Sequence, residues 1–336
     1  MRDGIGRHVA VPAEAPSTGR SGLPGSLPQD TRGIVSPRHM MRRVRLTRYP
    51  PPAELTGLID WFWSVEYALP DGLVHRQDVV SQPGVNLSVG VVPPEGADPP
   101  PGPYSLRFGV QGVSTALSTR MLSAAGWNLA AKSSTGGFGA WHPDVAALTD
   151  RWFPTAEVLA LHRLGTTADE VAEAVAAGAV GDGVPILSDL LVQLVDHSDP
   201  HRVETAREVA RVAAAVEHDR TVARVEHVAA LAGVTVRTVQ RLFSSYAGVS
   251  PTWVIRRFRL LEAAELVRGG QEVDWAEVAS DLGYSDQAHL TRDFTATLGS
   301  SPAAYGRAQR LGHRGVDSQP GLQPDLSRNR TGPAVR

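Results

Sequence analysis

Between Arg237 and Ser244 the chain places Arg237, Thr238, Gln240, Arg241 and Ser244 within eight residues, with apolar Val239, Leu242 and Phe243 interleaved among them. On a helix the apolar three share one face and the polar five project from the other. Guanidinium and carboxamide groups presented this way suit base edges: Arg bridges guanine O6 and N7, and Gln pairs with adenine N6 and N7. Hydroxyls from Thr and Ser reach phosphates or bases. A second run repeats the pattern, with Gln287, His289, Thr291 and Arg292 polar around apolar Leu290 and Phe294.

Both runs sit inside an internal repeat. Ala229 and Gly233 recur as Ala279 and Gly283, fifty residues on; Val239, Arg241, Phe243, Gly248, Ser250 and Pro251 recur as Leu290, Arg292, Phe294, Gly299, Ser301 and Pro302, fifty-one residues on. Each copy reads as helix, tight turn, helix. A small alanine lets the two helices approach, and Gly233 or Gly283 supplies the positive φ that ends the first one. Thr235 in one copy, and Ser285 or Asp286 in the other, can cap the helix that follows. Asp274 with Glu277 three residues later starts the second copy as a capping box. Ser250-Pro251 and Ser301-Pro302 each join an N-cap to a proline at the first helical position, so a further helix begins after each unit. The first of these, with Val254, Ile255, Phe258, Leu261, Leu266 and Val267, should span roughly 27 Å and join the two units as a strut.

Two helix-turn-helix units on one capped strut resemble the DNA-binding domain of the AraC/XylS family of bacterial transcription regulators. The resemblance covers residues 206–310 and rests on Val239-Gln240-Arg241-Leu242-Phe243, Tyr246-Ala247-Gly248-Val249-Ser250-Pro251, Asp281-Leu282-Gly283-Tyr284 and Leu290-Thr291-Arg292-Asp293-Phe294. It implies that both recognition helices enter successive major-groove segments of double-stranded DNA. The implied contact residues are Arg237, Thr238, Gln240, Arg241 and Ser244, with Gln287, His289, Thr291 and Arg292 from the second helix. The first helix should dominate, because Asp286 and Asp293 flank the second and repel phosphate. The competing reading is that Arg241 and Arg292 pair with carboxylates and merely support the fold.

Whole-chain charge is silent on all this. Thirty-three basic against thirty-five acidic residues leave a formal net charge of -2, so any DNA-binding surface must be local. From Thr235 to Arg259 there are five arginines, Arg237, Arg241, Arg256, Arg257 and Arg259, and no acidic residue, which supplies the expected local field. Lys132 is the sole lysine, a bias that matches a GC-rich bacterial genome better than selection for phosphate contacts.

The remaining chain sets the context for this reader of DNA. Residues 1–40, rich in Pro, Gly, Ser and Arg, are expected to be a disordered extension, with Met40 or Met41 an alternative start. Residues 41–155 alternate short apolar runs with turn signals, among them Trp61-Phe62-Trp63-Ser64-Val65 and Leu106-Arg107-Phe108-Gly109-Val110, and predict a β-rich sensor or interaction domain. Proline clusters at Pro93-Pro94 and Pro99-Pro100-Pro101-Gly102-Pro103 predict mobile loops. Residues 156–200 predict a helical connector in which Leu187, Leu190, Leu191 and Leu194 form one stripe, buried within the subunit by default and a dimerisation surface as the competitor. Residues 203–310 make the all-α DNA-binding domain, and 311–336 a disordered tail. The fold class is therefore α+β and multidomain.

The stretch Gly136-Gly137-Phe138-Gly139-Ala140-Trp141-His142-Pro143, followed by Ala147-Leu148-Thr149-Asp150-Arg151, is similar to the end of the small β-rich region in actinobacterial members of that family. It names no ligand. Trp61, Phe62, Trp63, Trp127 and Trp141 either line an apolar pocket for a small effector or fill the sheet core, the latter being preferred.

Enzymatic readings find little support. The chain lacks cysteine, which removes disulfides, thiolate zinc sites and a thiol nucleophile. His75, His142 and His162 are isolated, and neither a Gly-x-Ser-x-Gly elbow nor a P-loop ending is present. No catalytic residue, metal or cofactor is expected. Without a membrane-length apolar run or signal peptide, a cytoplasmic protein without membrane contact is expected. Beyond DNA, the candidate partners are a small-molecule effector, RNA polymerase and a second copy of the chain. An amino-terminal half that only dimerises or binds another protein is the alternative to a sensor, and one that carries an enzymatic activity is a further, lesser alternative.

Overall fold

The computed structural model describes residues 31–91, 104–269, 273–281 and 284–314. A short helix α1 (Pro37–Met41) leads into strands β1 (Val44–Tyr49), β2 (Ile59–Ala68), β3 (His75–Val80), β4 (Asn86–Val91), β5 (Arg107–Gln111), β6 (Leu117–Leu122), β7 (Ala125–Ser133) and β8 (Trp152–Pro154). Helices follow: α2 (Thr155–Val158), α3 (Ala168–Ala176), α4 (Gly183–Asp196), α5 (Pro200–His218), α6 (Val225–Leu231), α7 (Val236–Leu242), α8 (Pro251–Arg268), α9 (Trp275–Asp281), α10 (Gln287–Leu298) and α11 (Pro302–Arg314). A β-rich amino-terminal region and a helical carboxy-terminal one are thus both present.

Six strands form an antiparallel sheet in the order β1-β2-β7-β4-β5-β8, and β3 pairs with β6 as a separate ribbon. Strand alternation sends Phe62, Leu87, Val89, Val110 and Leu129 to one face of the large sheet, where all are fully buried. The leucine stripe of α4 packs into this same core: Leu187, Leu190, Leu191 and Leu194 are buried with Val171 and Val175 of α3. Intrachain packing therefore consumes the stripe that was the candidate dimer surface. On the other face Leu46, Tyr67 and Leu122 form a smaller cluster.

Two expectations about the chain ends are corrected. Residues 31–40 are ordered in part as a strap along the ribbon: Val80 N–H donates to Gly33 C=O (2.7 Å), Val35 N–H to Asp78 C=O (3.1 Å), and Ile34 and Met40 are buried. Polar composition pointed to disorder, yet Ile34, Val35 and Met40 supply an apolar edge, and β3 offers them unpaired backbone groups. Residues 1–30 lie outside the described residues, as do the proline clusters at 93–94 and 99–103. At the other end α11 continues through residues 311–314 of the expected tail, and the rest of that tail is outside the described residues. No helix among the described residues is long and apolar enough to cross a membrane.

The five aromatic residues weighed as a pocket wall take separate places. Phe62 and Trp127 are core. Trp61 lies beneath the guanidinium of Arg48 (4.3 Å) and the ammonium of Lys132 (4.6 Å), and Trp63 donates from Nε1 to Asn86 (3.0 Å). Trp141 packs edge-on to Phe138.

Candidate nucleic-acid interface

The first helix-turn-helix unit forms as its sequence requires. α6 ends at a turn in which Gly233 has φ +64°, a left-handed conformation that glycine adopts without strain. Thr235 then caps α7, its hydroxyl accepting from Thr238 N–H (3.2 Å). Val239 and Phe243 are buried, so the helix can turn only its other face outward. That face exposes Arg237, Gln240, Arg241 and Ser244; Thr238 is half-buried, its hydroxyl 3.0 Å from that of Thr235. Neither Arg237 nor Arg241 forms an ion pair among the described residues, which goes against the reading of Arg241 as a structural salt bridge. The helix continues through residues 243–247 as a π-helical turn.

Ser250 caps the strut α8, its hydroxyl accepting from Trp253 N–H (3.2 Å), with Pro251 at the first position. In the second unit Asp274 accepts from Ala276 and Glu277 N–H, one half of the expected capping box. Asp286, rather than Ser285, caps α10, accepting from His289 N–H (2.7 Å). That bond, followed by one from Ser285, holds the Asp286 carboxyl below its ordinary range. Leu290 and Phe294 are fully buried. Gln287 and Arg292 are exposed, whereas His289 and Thr291 are half-buried, with His289 edge-on to Tyr284. Arg292 Nε donates to Ala288 C=O (3.4 Å) along its own helix, and Asp293 accepts from Tyr284 O–H (2.7 Å). Gly283 lies outside the described residues.

The expected basic field is smaller than the sequence suggested. Arg257 and Arg259 are only 3% and 7% exposed, so neither faces DNA. Arg259 donates to Val216, Glu217 and Asp219 C=O, closing the end of α5 where carbonyls lack helical partners and a cation is favoured. Arg257 donates to Ser81 C=O (3.3 Å) and Thr115 C=O (2.5 Å), two loops of the β-rich region, and lies over the Trp253 ring (4.5 Å). Desolvation lowers both pKa values, that of Arg257 to about 10. Arg237, Arg241 and half-buried Arg256 remain as the surface cations of this stretch.

The β-rich region grips both units. Thr149 Oγ1 donates to Gly248 C=O (2.8 Å). At Gly139 a Cβ would stand 2.2 Å from Tyr246 Cδ1, so only glycine permits the contact between this turn and the end of the first recognition helix. Arg202 of α5 secures that turn, donating to Gly139 C=O (3.0 Å) and His142 C=O (3.2 Å). Leu117 of β6 meets Gly299 at the end of α10, and Arg268 and Gln309 donate to Thr31 and Val35 C=O of the strap. Sequence reading noted the glycine-rich turn without its partner, because Tyr246 is more than a hundred residues away.

Residues 228–308 match the family described as a helix-turn-helix domain. They are an AraC-type helix-turn-helix domain. The transcriptional activator NphR of a Rhodococcus species is 33% identical over 108 residues, 32% of this chain and 31% of that protein. The chain thus spans about a third of the length of this curated relative. Among solved structures, the DNA-binding domain of AdpA in complex with a target DNA is 35% identical, with 32% of this chain and 96% of that one covered at a TM-score of 0.28. ToxT of Vibrio cholerae O395 is 11% identical over 74% of this chain and 99% of its own, at a TM-score of 0.35. The AraC-type domain therefore carries the exposed faces of α7 and α10, with the buried arginines of α8 behind them. Among the described residues no group of three or more His, Asp or Glu is placed to hold a metal ion.

Proposed function

We propose that this chain is a sequence-specific transcription regulator whose two recognition helices enter successive major-groove segments of double-stranded DNA. The carrying observation is the outward face of α7, where Arg237, Gln240 and Arg241 stand exposed, free of ion pairs among the described residues and inside the AraC-type domain. α7 dominates. Its exposed groups include two unpaired guanidiniums, while α10 exposes Gln287 and Arg292 beside the capping carboxylate of Asp286. Thr238, Ser244, His289 and Thr291 serve as supporting contacts. The β-rich region modulates DNA binding through a small effector, a reading supported by its direct grip on both units. The chain acts as a regulator and not as an enzyme.

Selection of bound duplexes from a random pool, followed by a salt-controlled anisotropy titration, tests this reading. Arg241→Ala should cost roughly 1–3 kcal/mol of affinity for the selected site and relax specificity at one base pair. Arg292→Ala should cost less. Equal affinity of Arg241→Ala and the parent chain, or failure of the pool to converge, overturns the assignment.

A further inference from the structure

We infer that Arg42 and Arg43, in the turn after α1, with Arg38 beside them on that helix, form a second duplex-binding surface that takes backbone phosphates flanking the base pairs of the second unit. From Thr31 to Ala53 the chain carries six arginines and no acidic residue, a denser run than the five arginines between Thr235 and Arg259. Burial removes two of those five, but it spares this run: Arg38, Arg42, Arg43 and Arg45 are all exposed. Arg42 and Arg43 form no ion pair among the described residues, whereas Arg45 faces Glu66 (3.9 Å) and Arg32 bonds Glu217 (3.1 Å).

The surface is tied to the second unit. Arg268 of α8 and Gln309 of α11 donate to Thr31 C=O (3.1 Å) and Val35 C=O (2.9 Å), just ahead of α1. Val80, at the near end of β3, shares a core with Leu260, Phe294 and Tyr305. His75, at the far end, stacks on His39 of α1 with 4.8 Å between ring centroids. One strand length therefore sets α1 off from the second unit, about 17 Å at about 3.3 Å per step. That is the rise of about five base pairs. α10 itself exposes one cation, Arg292, near the carboxylate of Asp286, so phosphates on this side are left for α1 and its turn to neutralise.

Two simpler roles leave Arg42 and Arg43 unexplained. Arginines on an edge strand deter pairing with another chain, but that role falls to Arg45 and Arg48 on β1, and Arg42 and Arg43 precede the strand. Cations also complement the carbonyls that end a helix, and Arg38 and His39 already occupy the last turn of α1. A run of unpaired guanidiniums suits a polyanion with regularly spaced charges, and duplex phosphates repeat about every 3.4 Å along each strand.

This inference rests on the reading of the chain as a DNA-binding regulator. The test is an anisotropy titration of the full chain across salt, on the selected site as a core duplex and on two longer duplexes, each extended on one side by about one helical turn, roughly 34 Å. Extension on the side away from the base pair governed by Arg241 should steepen the salt slope by about 0.9 per added phosphate contact, or about 1.8 for Arg42 and Arg43 together. Arg42→Gln/Arg43→Gln should cancel that gain, so that over an about fourfold rise in salt it loses about twelvefold less affinity than the parent chain. On the core duplex the two proteins should match. Arg42→Lys/Arg43→Lys keeps both charges and should keep the gain, and circular dichroism checks that each variant folds.

A gain on neither side, a gain only on the Arg241 side, or a gain that the glutamine variant retains overturns the surface. So does binding of the parent chain to phosphatidylserine vesicles that the glutamine variant loses while its duplex slopes stay unchanged, a result that assigns the arginines to a lipid. Absence of any duplex binding overturns the regulatory reading and this surface with it, whereas a bound core that gains nothing from extension overturns the surface alone.

Discussion

Replacing Arg257 by methionine separates a structural arginine from a DNA-contacting one. Methionine keeps much of the length and apolar body, so the packing on Trp253 survives while the charge and the bonds to Ser81 and Thr115 C=O are lost. Each hydrogen bond from a charged donor contributes about 1.5–3 kcal/mol, giving about 3–6 kcal/mol for the pair. Against this stands the desolvation of the guanidinium. Its pKa falls from 12.5 to about 10, and at about 1.4 kcal/mol per unit the charged form is disfavoured by about 3 kcal/mol. The net loss on substitution is then about 0–3 kcal/mol of stability, read as a lower urea midpoint with an unchanged slope. Affinity for a selected duplex, measured well below the midpoint, should retain its full salt dependence, because a buried guanidinium neutralises no phosphate. Arg241→Ala should do the reverse, keeping the midpoint and losing affinity. A methionine variant whose salt slope drops by about one refutes the placement of Arg257 as an interdomain latch.

Two further perturbations follow from the same contacts. Gly139→Leu would drive its side chain into Tyr246, and overpacking of this kind should cost about 1–3 kcal/mol in urea denaturation, with Gly139→Leu/Tyr246→Ala recovering part of the loss; an unaffected single variant would show that the turn and the helix do not touch. His75 is buried with Nδ1 lacking a hydrogen-bond partner among the described residues, and desolvation, opposed by its bond to Gln77, lowers its pKa below 6.5. The neutral form is favoured in the fold, so its stability contribution is full above pH 6.5 and is lost as pH falls below that value, since the unfolded chain then binds the proton more readily. His75→Gln should flatten the melting-temperature profile between pH 7 and 5, and an unchanged profile would place the acid sensitivity elsewhere.

Much of the AraC-type domain is written locally, and the reasons are chemical. Caps, prolines and helix-ending glycines act within four residues of themselves, which is why Thr235, Ser250 and Asp286 do in the structure what their neighbourhoods specify. The inward faces at Val239, Phe243, Leu290 and Phe294 follow from helical period alone. The six-stranded sheet was legible as a set of short strands, but its order β1-β2-β7-β4-β5-β8 joins segments far apart in sequence and leaves no local trace.

The arginines of the strut mark the boundary most clearly. Arg256, Arg257 and Arg259 share one side-chain type and one uncharged-to-basic stretch, so sequence assigned all three to a single positive field. Tertiary structure divided them. Arg259 was claimed by the carbonyls that end α5, Arg257 by Ser81 and Thr115, and Arg256 stayed half-buried over the Tyr284 ring. The same holds for the strap at residues 31–36, whose composition resembles a disordered extension until the edge of β3 gives its backbone something to bond. By itself the sequence determined the two helix-turn-helix units and which of their faces turn inward, because those depend on neighbours three or four residues away. Only the fold decided which cations meet solvent, because burial depends on what distant segments bring to the other side.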